Sequence, residues 1–386
     1  MFVKTLAGAL LLTTIPLSVV QPPTPGSIAQ TISAPSAPAA LSDSAFASLV
    51  ARISEPNGYF DSDNLISNES SYLHVLGAMR RLGVTGGAYV GVGPDQNFSY
   101  IAQIRPRIAF IIDIRRDNLL QHLWFKALFG MARNRAEYLA LLTGRPVPSE
   151  LAKWNGRSIT EIADYIGRSA PDPDQFEATR AIVRSKIRGL GIPVTDAELE
   201  TISRIQQAFF DAGLELRFTS LGRSPRPYYP TLRTLLLERD LSGKQLSYLA
   251  TEDGFQYVKS LEARNLVVPV VGDLAGDHAL REIGRVLGER GEKLSALYVS
   301  NVEFYLMREG SFDAFASTVR TLPHTARSVI IRSYFGGGFY GSHPQSVPGY
   351  FSTQLLQTID TFAAESGRGG YATYFDLVNK HNVDLR

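Results

Sequence analysis

The stretch Gly87-Ala88-Tyr89-Val90-Gly91-Val92-Gly93-Pro94-Asp95-Gln96-Asn97-Phe98, followed by Ile108-Ala109-Phe110-Ile111-Ile112-Asp113-Ile114-Arg115, constrains the fold more than any other part of the chain. A short apolar run stops at closely spaced glycines. A helix-compatible segment follows, and a second apolar run ends in an aspartate. That is the strand-loop-helix-strand opening of a doubly wound, mostly parallel α/β sheet, the arrangement in which nucleotides are commonly held. Both runs are apolar throughout, as expected when helices cover both faces of the sheet.

The same reading extends along the chain. Strands are predicted over 88–92, 108–114, 266–271, 296–299 and 328–334, with helices over 95–103, 118–131, 255–264, 277–290 and 312–322 between them. A further helix is predicted over 352–365, and 371–378 completes the chain. Five parallel strands separated by helices give a three-layer sandwich. Residues 133–250 interrupt the alternation with helical segments over 136–142, 158–166, 175–187 and 196–212. They read as a helical insertion, because a structureless loop of that length is implausible in a compact domain. The insertion divides one domain into a first part, 42–132, and a second part, 251–386.

Ahead of the domain, Met1-Phe2-Val3-Lys4 and the apolar run Leu6 to Val20 resemble a signal peptide. Ser27-Ile28-Ala29 provides the small residues of a cleavage site, so residues 1–29 are read as a leader for export to the periplasm or the extracellular space. Residues 30–41, rich in Pro, Ser and Ala, read as a linker. Ser42 to Ile53 has a capping serine and helical spacing of apolar residues. The polar stretch Tyr59 to Tyr72 is either a solvated loop or a lid over the sheet edge, with Asn64, Asn68 and Glu69 as its polar contacts.

Composition narrows the chemistry. Lys and Arg total 39 against 37 for Asp and Glu, so no basic patch argues for nucleic acid. The chain has no cysteine, which removes disulfides, thiol nucleophiles and thiolate metal sites. Its six histidines show no metal-ligand spacing, and no metal is expected. No GxSxG elbow supplies a hydrolase nucleophile, and Gly336 to Gly341 lacks the Lys-Ser or Lys-Thr of a P-loop. The expected partner is a small molecule, and no membrane contact is expected beyond the leader.

In an open parallel sheet ligands bind at the carboxyl ends of the strands, and each of the five ends carries polar residues. Gly91, Gly93, Asp95, Gln96 and Asn97 follow the first strand, and Asp113 and Arg115 the second. Gly272 and Asp273 follow the third, Ser300, Asn301 and Glu303 the fourth, and Arg332 to Tyr334 the fifth. Glycine lets backbone approach a ligand closely. A strand-end acid can accept from ribose hydroxyls, Asp273 from an exocyclic amine, and Asn301 offers both donor and acceptor.

The ordered set of glycine loop, acid after strand two, Gly-Asp after strand three and Ser-Asn after strand four resembles class I S-adenosylmethionine-dependent methyltransferases. The resemblance covers roughly residues 84–335 without the insertion. The segments Ser-Asp-Asn-Leu-Ile-Ser-Asn-Glu, Gly-Val-Gly-Pro-Asp-Gln-Asn-Phe, Asp-Ile-Arg-Arg-Asp-Asn, Val-Val-Gly-Asp and Tyr-Val-Ser-Asn-Val-Glu are similar, more closely, to a largely uncharacterised bacterial family associated with this fold.

The resemblance implies a Rossmann-like, class I methyltransferase-like sandwich and S-adenosylmethionine as cofactor. Gly91, Gly93, Asp95, Gln96, Asn97, Asp113, Arg115, Asp273 and Ser300 would hold it, and Asn301 and Glu303 would face the methyl acceptor. Tyr89 stands where such enzymes usually carry an acid, and Pro94-Asp95 where a third glycine is usual. The alternative is an exported, non-catalytic small-ligand-binding or scaffold protein that retains the fold. Replacing Asp113 with alanine is expected to abolish nucleoside binding and leave folding nearly intact.

Overall fold

The structure is a computed structural model that describes residues 1–2, 39–221, 223, 226–336 and 342–386. The leader and nearly all of the linker lie outside the described residues, as does the glycine-rich loop beyond Gly336. Pro38–Arg386 forms one compact unit.

Six strands are described: β1 (Ala88–Val92), β2 (Ile108–Asp113), β3 (Val267–Val271), β4 (Leu294–Ser300), β5 (His324–Tyr334) and β6 (Thr353–Thr358). They lie in the order β3-β2-β1-β4-β5-β6. The first five are parallel and β6 runs antiparallel to β5. Strand order therefore reverses between β1 and β4, and it is beside such a switch that the loops leaving neighbouring strands diverge and open a crevice. Every residue of β1 and β3 is buried, as is β2 up to Asp113, where the strand meets the cleft.

Pro269 sits within β3 without breaking the sheet because β3 is an edge strand, where a missing N–H is tolerated. That edge is covered. Helix Asp43–Ile53, capped by Ser42, leads into a segment whose Glu55 N–H donates to Val271 O at 2.8 Å, while Ser54 Oγ accepts from Val271 N at 3.2 Å. An open strand edge is a template for unwanted pairing, and these bonds close it.

The segment 352–365 departs from the expected single helix. Thr353 to Thr358 pairs with Tyr334 to Val329, and the helix begins only at Ile359, capped by Thr358. The polar residues Gln354 and Gln357 are fully buried in the strand. Each has hydrogen-bond partners far away in sequence, which local periodicity cannot register. The helix Val302–Glu309 directly after β4 is likewise additional to the expected elements.

Residues 133–250 contain the helices Arg135–Thr143, Ile159–Arg168, Pro173–Gly189, Asp196–Ala212 and Leu232–Leu237. They do not form a separate core. Phe209 packs edge-on to Trp124, with ring centroids 4.9 Å apart, on helix Arg116–Met131 that follows β2. Both rings belong to the same apolar cluster as the sheet. No helix among the described residues is long and apolar enough to cross a membrane.

Candidate functional site

A cleft of about 210 Å³ lies at the carboxyl ends of β1 to β4, roofed by the loop from Tyr59 to Glu69 and by Phe218 from the insertion. Gly93, Asp113, Arg115, Asp273, Ser300 and Asn301 line it. Gly91, Asp95, Gln96, Asn97 and Glu303 do not, and each has another task.

Gly91 and Asn97 build the loop from within. Asn97 Nδ2 donates to Val92 O at 2.9 Å and Pro94 O at 2.8 Å, and its Oδ1 accepts from Tyr89 Oη at 2.8 Å. A Cβ at position 91 would stand 2.0 Å from Asn97 Oδ1, so only glycine leaves room for this arrangement. Tyr89 thus fixes the loop. Gly93 takes φ +84°, and its carbonyl accepts from His122 Nε2 at 2.9 Å. Burial pushes His122 down to about 4, so the ring is neutral with its proton on Nε2.

Asp95 turns away from the cleft into the aromatic core, where Tyr248 Oη donates to its Oδ2 at 3.2 Å. Burial raises its carboxyl from 3.8 to about 6. Glu303 is also removed from the expected acceptor position. It is 1% exposed and clasped by Arg332, with Nε donating to Oε2 at 2.6 Å and Nη2 to Oε1 at 3.1 Å. Helix Val302–Glu309 starts immediately after Asn301, and its first turn rotates Glu303 inward while Asn301 stays at the cleft. The Asn301 side chain makes no capping bond to that helix, so its amide is not spent on the helix end.

Asp113 and Arg115 form a clamp. Arg115 donates from Nε to Oδ1 at 3.1 Å and from Nη2 to Oδ2 at 2.9 Å, and its backbone N–H reaches Oδ1 at 2.9 Å. The remaining Nη1 donates to the carbonyls of Ser62 at 2.9 Å and Asp63 at 2.8 Å. The pair therefore ties the roof to the end of β2. Asp113 thus has a structural task beside any ligand contact, since its removal would take the counter-charge from a largely buried guanidinium. Asp273 shapes its own turn, with Oδ1 accepting from Ala275 N at 2.8 Å, and its second oxygen is not used in that turn.

The most heavily hydrogen-bonded carboxyl group lining the cleft is that of Glu69, which is 1% exposed. Its Oε2 accepts from Tyr298 Oη at 2.8 Å, Gln96 Nε2 at 3.1 Å and Gln354 Nε2 at 2.7 Å, and its Oε1 accepts from the Ser300 hydroxyl. Burial, with Glu69 alongside, holds the Tyr298 hydroxyl well above its ordinary value, so it remains a donor. Burying a carboxylate costs several kcal/mol, and hydrogen bonds to a charged group return about 1.5–3 kcal/mol each. Four neutral donors thus converge on a buried carboxyl group that has no cationic side chain beside it among the described residues. Ser300 accepts a left-handed backbone, φ +51°, to take part.

The sequence offers Glu69 as one of three polar contacts of a possible lid, with nothing to rank it above Asn64 and Asn68. Tyr298 lies inside an apolar strand and Gln354 in a segment that reads as helix, so neither signalled a site. The one usable sign was the run Ser67-Asn68-Glu69-Ser70-Ser71, polar yet placed directly before an apolar helix.

Compared with curated proteins, the chain finds no match. A family model matches residues 65–153 and 195–370, segments that contain Glu69, all six described strands and every cleft residue from Ser67 on. The chain belongs to the family described as Domain of unknown function (DUF7790).

Proposed function

We propose that the cleft binds a nucleoside-bearing small molecule and that the protein is a transferase of the class I methyltransferase kind, with S-adenosylmethionine as its cofactor. The observation that carries this reading is the convergence of Gly93, Asp113, Asp273, Ser300 and Asn301 on one cleft at the switch between β1 and β4. An antiparallel last strand beside β5 is a further point of likeness to that fold.

The residues fit a nucleoside in part. A carboxylate has about four lone-pair sites, and Arg115 takes three on Asp113, which leaves one for a ribose hydroxyl. Asp273 has an oxygen left for an exocyclic amine. The Gly93 backbone permits close approach, and the Asn301 amide faces the space for an acceptor. When bound, the cofactor would supply an activated methyl group. The chain's own contribution would be to hold donor and acceptor in line and exclude water, which needs little acid-base chemistry.

A second reading, an exported small-ligand-binding protein that retains the fold without catalysis, is favoured by two specific facts. The Asp113 carboxylate is mostly engaged by Arg115, and Glu303 is sequestered by Arg332. The proposed leader and export to the periplasm or extracellular space also belong to this reading.

Titration calorimetry of the full-length chain with adenosine, S-adenosylmethionine and S-adenosylhomocysteine tests the first reading. Saturable binding that Asp273→Ala weakens and Asn301→Ala largely spares is the expected result. Absence of heat with all three ligands refutes the nucleoside reading. Binding without transfer of labelled methyl to any cell-extract component would leave the second reading in its place.

A further inference from the structure

We propose that the cleft recognises its ligand through an organic cation, an ammonium or guanidinium group, with Glu69 as the counter-charge and the rings of Phe60, Tyr305 and Phe218 against the carbon part. This inference rests on the reading of the cleft as a ligand site and assigns the chemical class of what enters it.

The charge inventory points in one direction. Glu69, Asp113, Asp273 and Glu309 line the cleft, and Arg115 is the one cationic side chain among its lining residues. Four of the five Arg115 N–H groups are taken by the Asp113 carboxylate and by two backbone carbonyls, and its charge is balanced by Asp113. An anionic ligand group would therefore meet a cation that is already paired and would face three carboxylates with no cationic partner among the lining residues. A neutral ligand would displace water from those carboxylates and return no charge. Only a cation is complementary in sign.

Glu69 is the best placed of these groups. Its Oε2 is saturated by Tyr298, Gln96 and Gln354, while Oε1 accepts only from Ser300 and so has a further lone pair available at the cleft. The carbonyl oxygens of Gln96 and Gln354, fixed beside it by their own amide bonds to Glu69, are buried without a donor. They add partial negative charge to a floor that already lacks a counter-ion. The wall is aromatic: Phe60 and Tyr305 meet edge to face with centroids 5.1 Å apart, and Tyr59, Phe218 and Tyr298 complete it. Ring faces attract organic cations and also cover their methylene or methyl groups.

Choline and agmatine are suitable probes, with dimethylbutanol as the uncharged carbon isostere of choline. Calorimetry and thermal shift on the full-length chain, at about 0.01 M and about 1 M salt, should show a cation binding about tenfold or more tighter than the isostere, with affinity falling as salt rises. Glu69→Gln should remove most of that preference. Glu309→Gln, at an exposed rim position that folding does not need, should weaken cation binding a few-fold at low salt only. Equal affinity for choline and dimethylbutanol together with no effect of salt overturns the proposal even if Glu69→Gln fails to fold. So does unchanged cation binding in a folded Glu69→Gln. Adenosine, which is uncharged, separates this from the nucleoside reading. Cation binding without adenosine binding sinks that reading and keeps this one, and adenosine binding without preference for cations does the reverse.

Discussion

Replacing Asp95 with asparagine should stabilise the protein in a strongly pH-dependent way. The side chain is buried against Tyr248, and burial raises its carboxyl from 3.8 to about 6. A shift of about two units corresponds to about 3 kcal/mol of differential interaction. At about pH 3 both the folded and the unfolded chain carry the proton, and the group makes no pH-dependent contribution. Between about pH 4 and about pH 6 the folded state holds a proton that the unfolded chain has released, so stability falls as pH rises. Above about pH 6 the loss is complete. Asparagine cannot ionise, and its carbonyl can still accept from Tyr248. The difference in unfolding free energy between variant and wild type should therefore grow by about 3 kcal/mol from about pH 4 to about pH 8 in favour of the variant. Other buried titrating groups, such as Glu262 raised to about 7 and His74 lowered to about 4, are present in both proteins and cancel in the difference. Urea unfolding at a series of pH values measures it. Parallel stability curves for the two proteins would refute the claim that Asp95 is a buried, turned-away carboxylate.

Three further substitutions follow from the packing. Gly91→Ala places a Cβ against Asn97 Oδ1 and Tyr89 Oη and should cost about 1–3 kcal/mol in denaturant unfolding, as overpacking does. Glu303→Ala strips Arg332 of its buried partner and should cost about 3–5 kcal/mol; a stable variant with an impaired reaction would return Glu303 to the chemistry. Asp113→Asn should release Arg115 from its clamp, and limited proteolysis should then cut within residues 59–69 faster than in the wild type while global unfolding changes less.

The first four strands were legible because each is a near-continuous apolar run ended by a polar residue, whereas β5 was read only from Ser328 because His324 to Arg327 ahead of it are not a buried apolar run. Ala88–Val92 needed no information from elsewhere in the chain. That Gly93, Asp113, Asp273, Ser300 and Asn301 meet in one cleft was legible for a related reason, since topology alone brings the carboxyl ends of parallel strands together. Which way a side chain leaves a loop or first helical turn was not. Asp95 is decided by Tyr248, Glu303 by Arg332 and Asn97 by Tyr89, and two of those three partners lie in other elements. β6 escaped notice because Gln354 and Gln357 break the apolar pattern. The Gln354 NH2 group donates to Glu69 and Ser333, and Gln357 donates to Tyr371 and accepts from Arg332, contacts that exist only once the sheet has formed.

Those same contacts explain why the roof of the cleft is placed so definitely. The loop from Tyr59 to Glu69 is fastened at one end by Arg115, which joins the carbonyls of Ser62 and Asp63 to Asp113 of β2. At the other end Glu69 is held by Tyr298 and Ser300 of β4, by Gln96 after β1 and by Gln354 of β6. Both fastenings are polar, directional and buried, so neither can slide as an apolar contact can. A chain that needed only to cover the sheet edge would do so with leucine and phenylalanine at no desolvation cost. Holding a buried carboxyl group with four neutral donors is a poorer way to gain stability, because well-packed apolar residues of similar volume are often neutral or better. The arrangement makes physical sense if the group is kept for something that arrives from outside, and Glu69 lines the cleft.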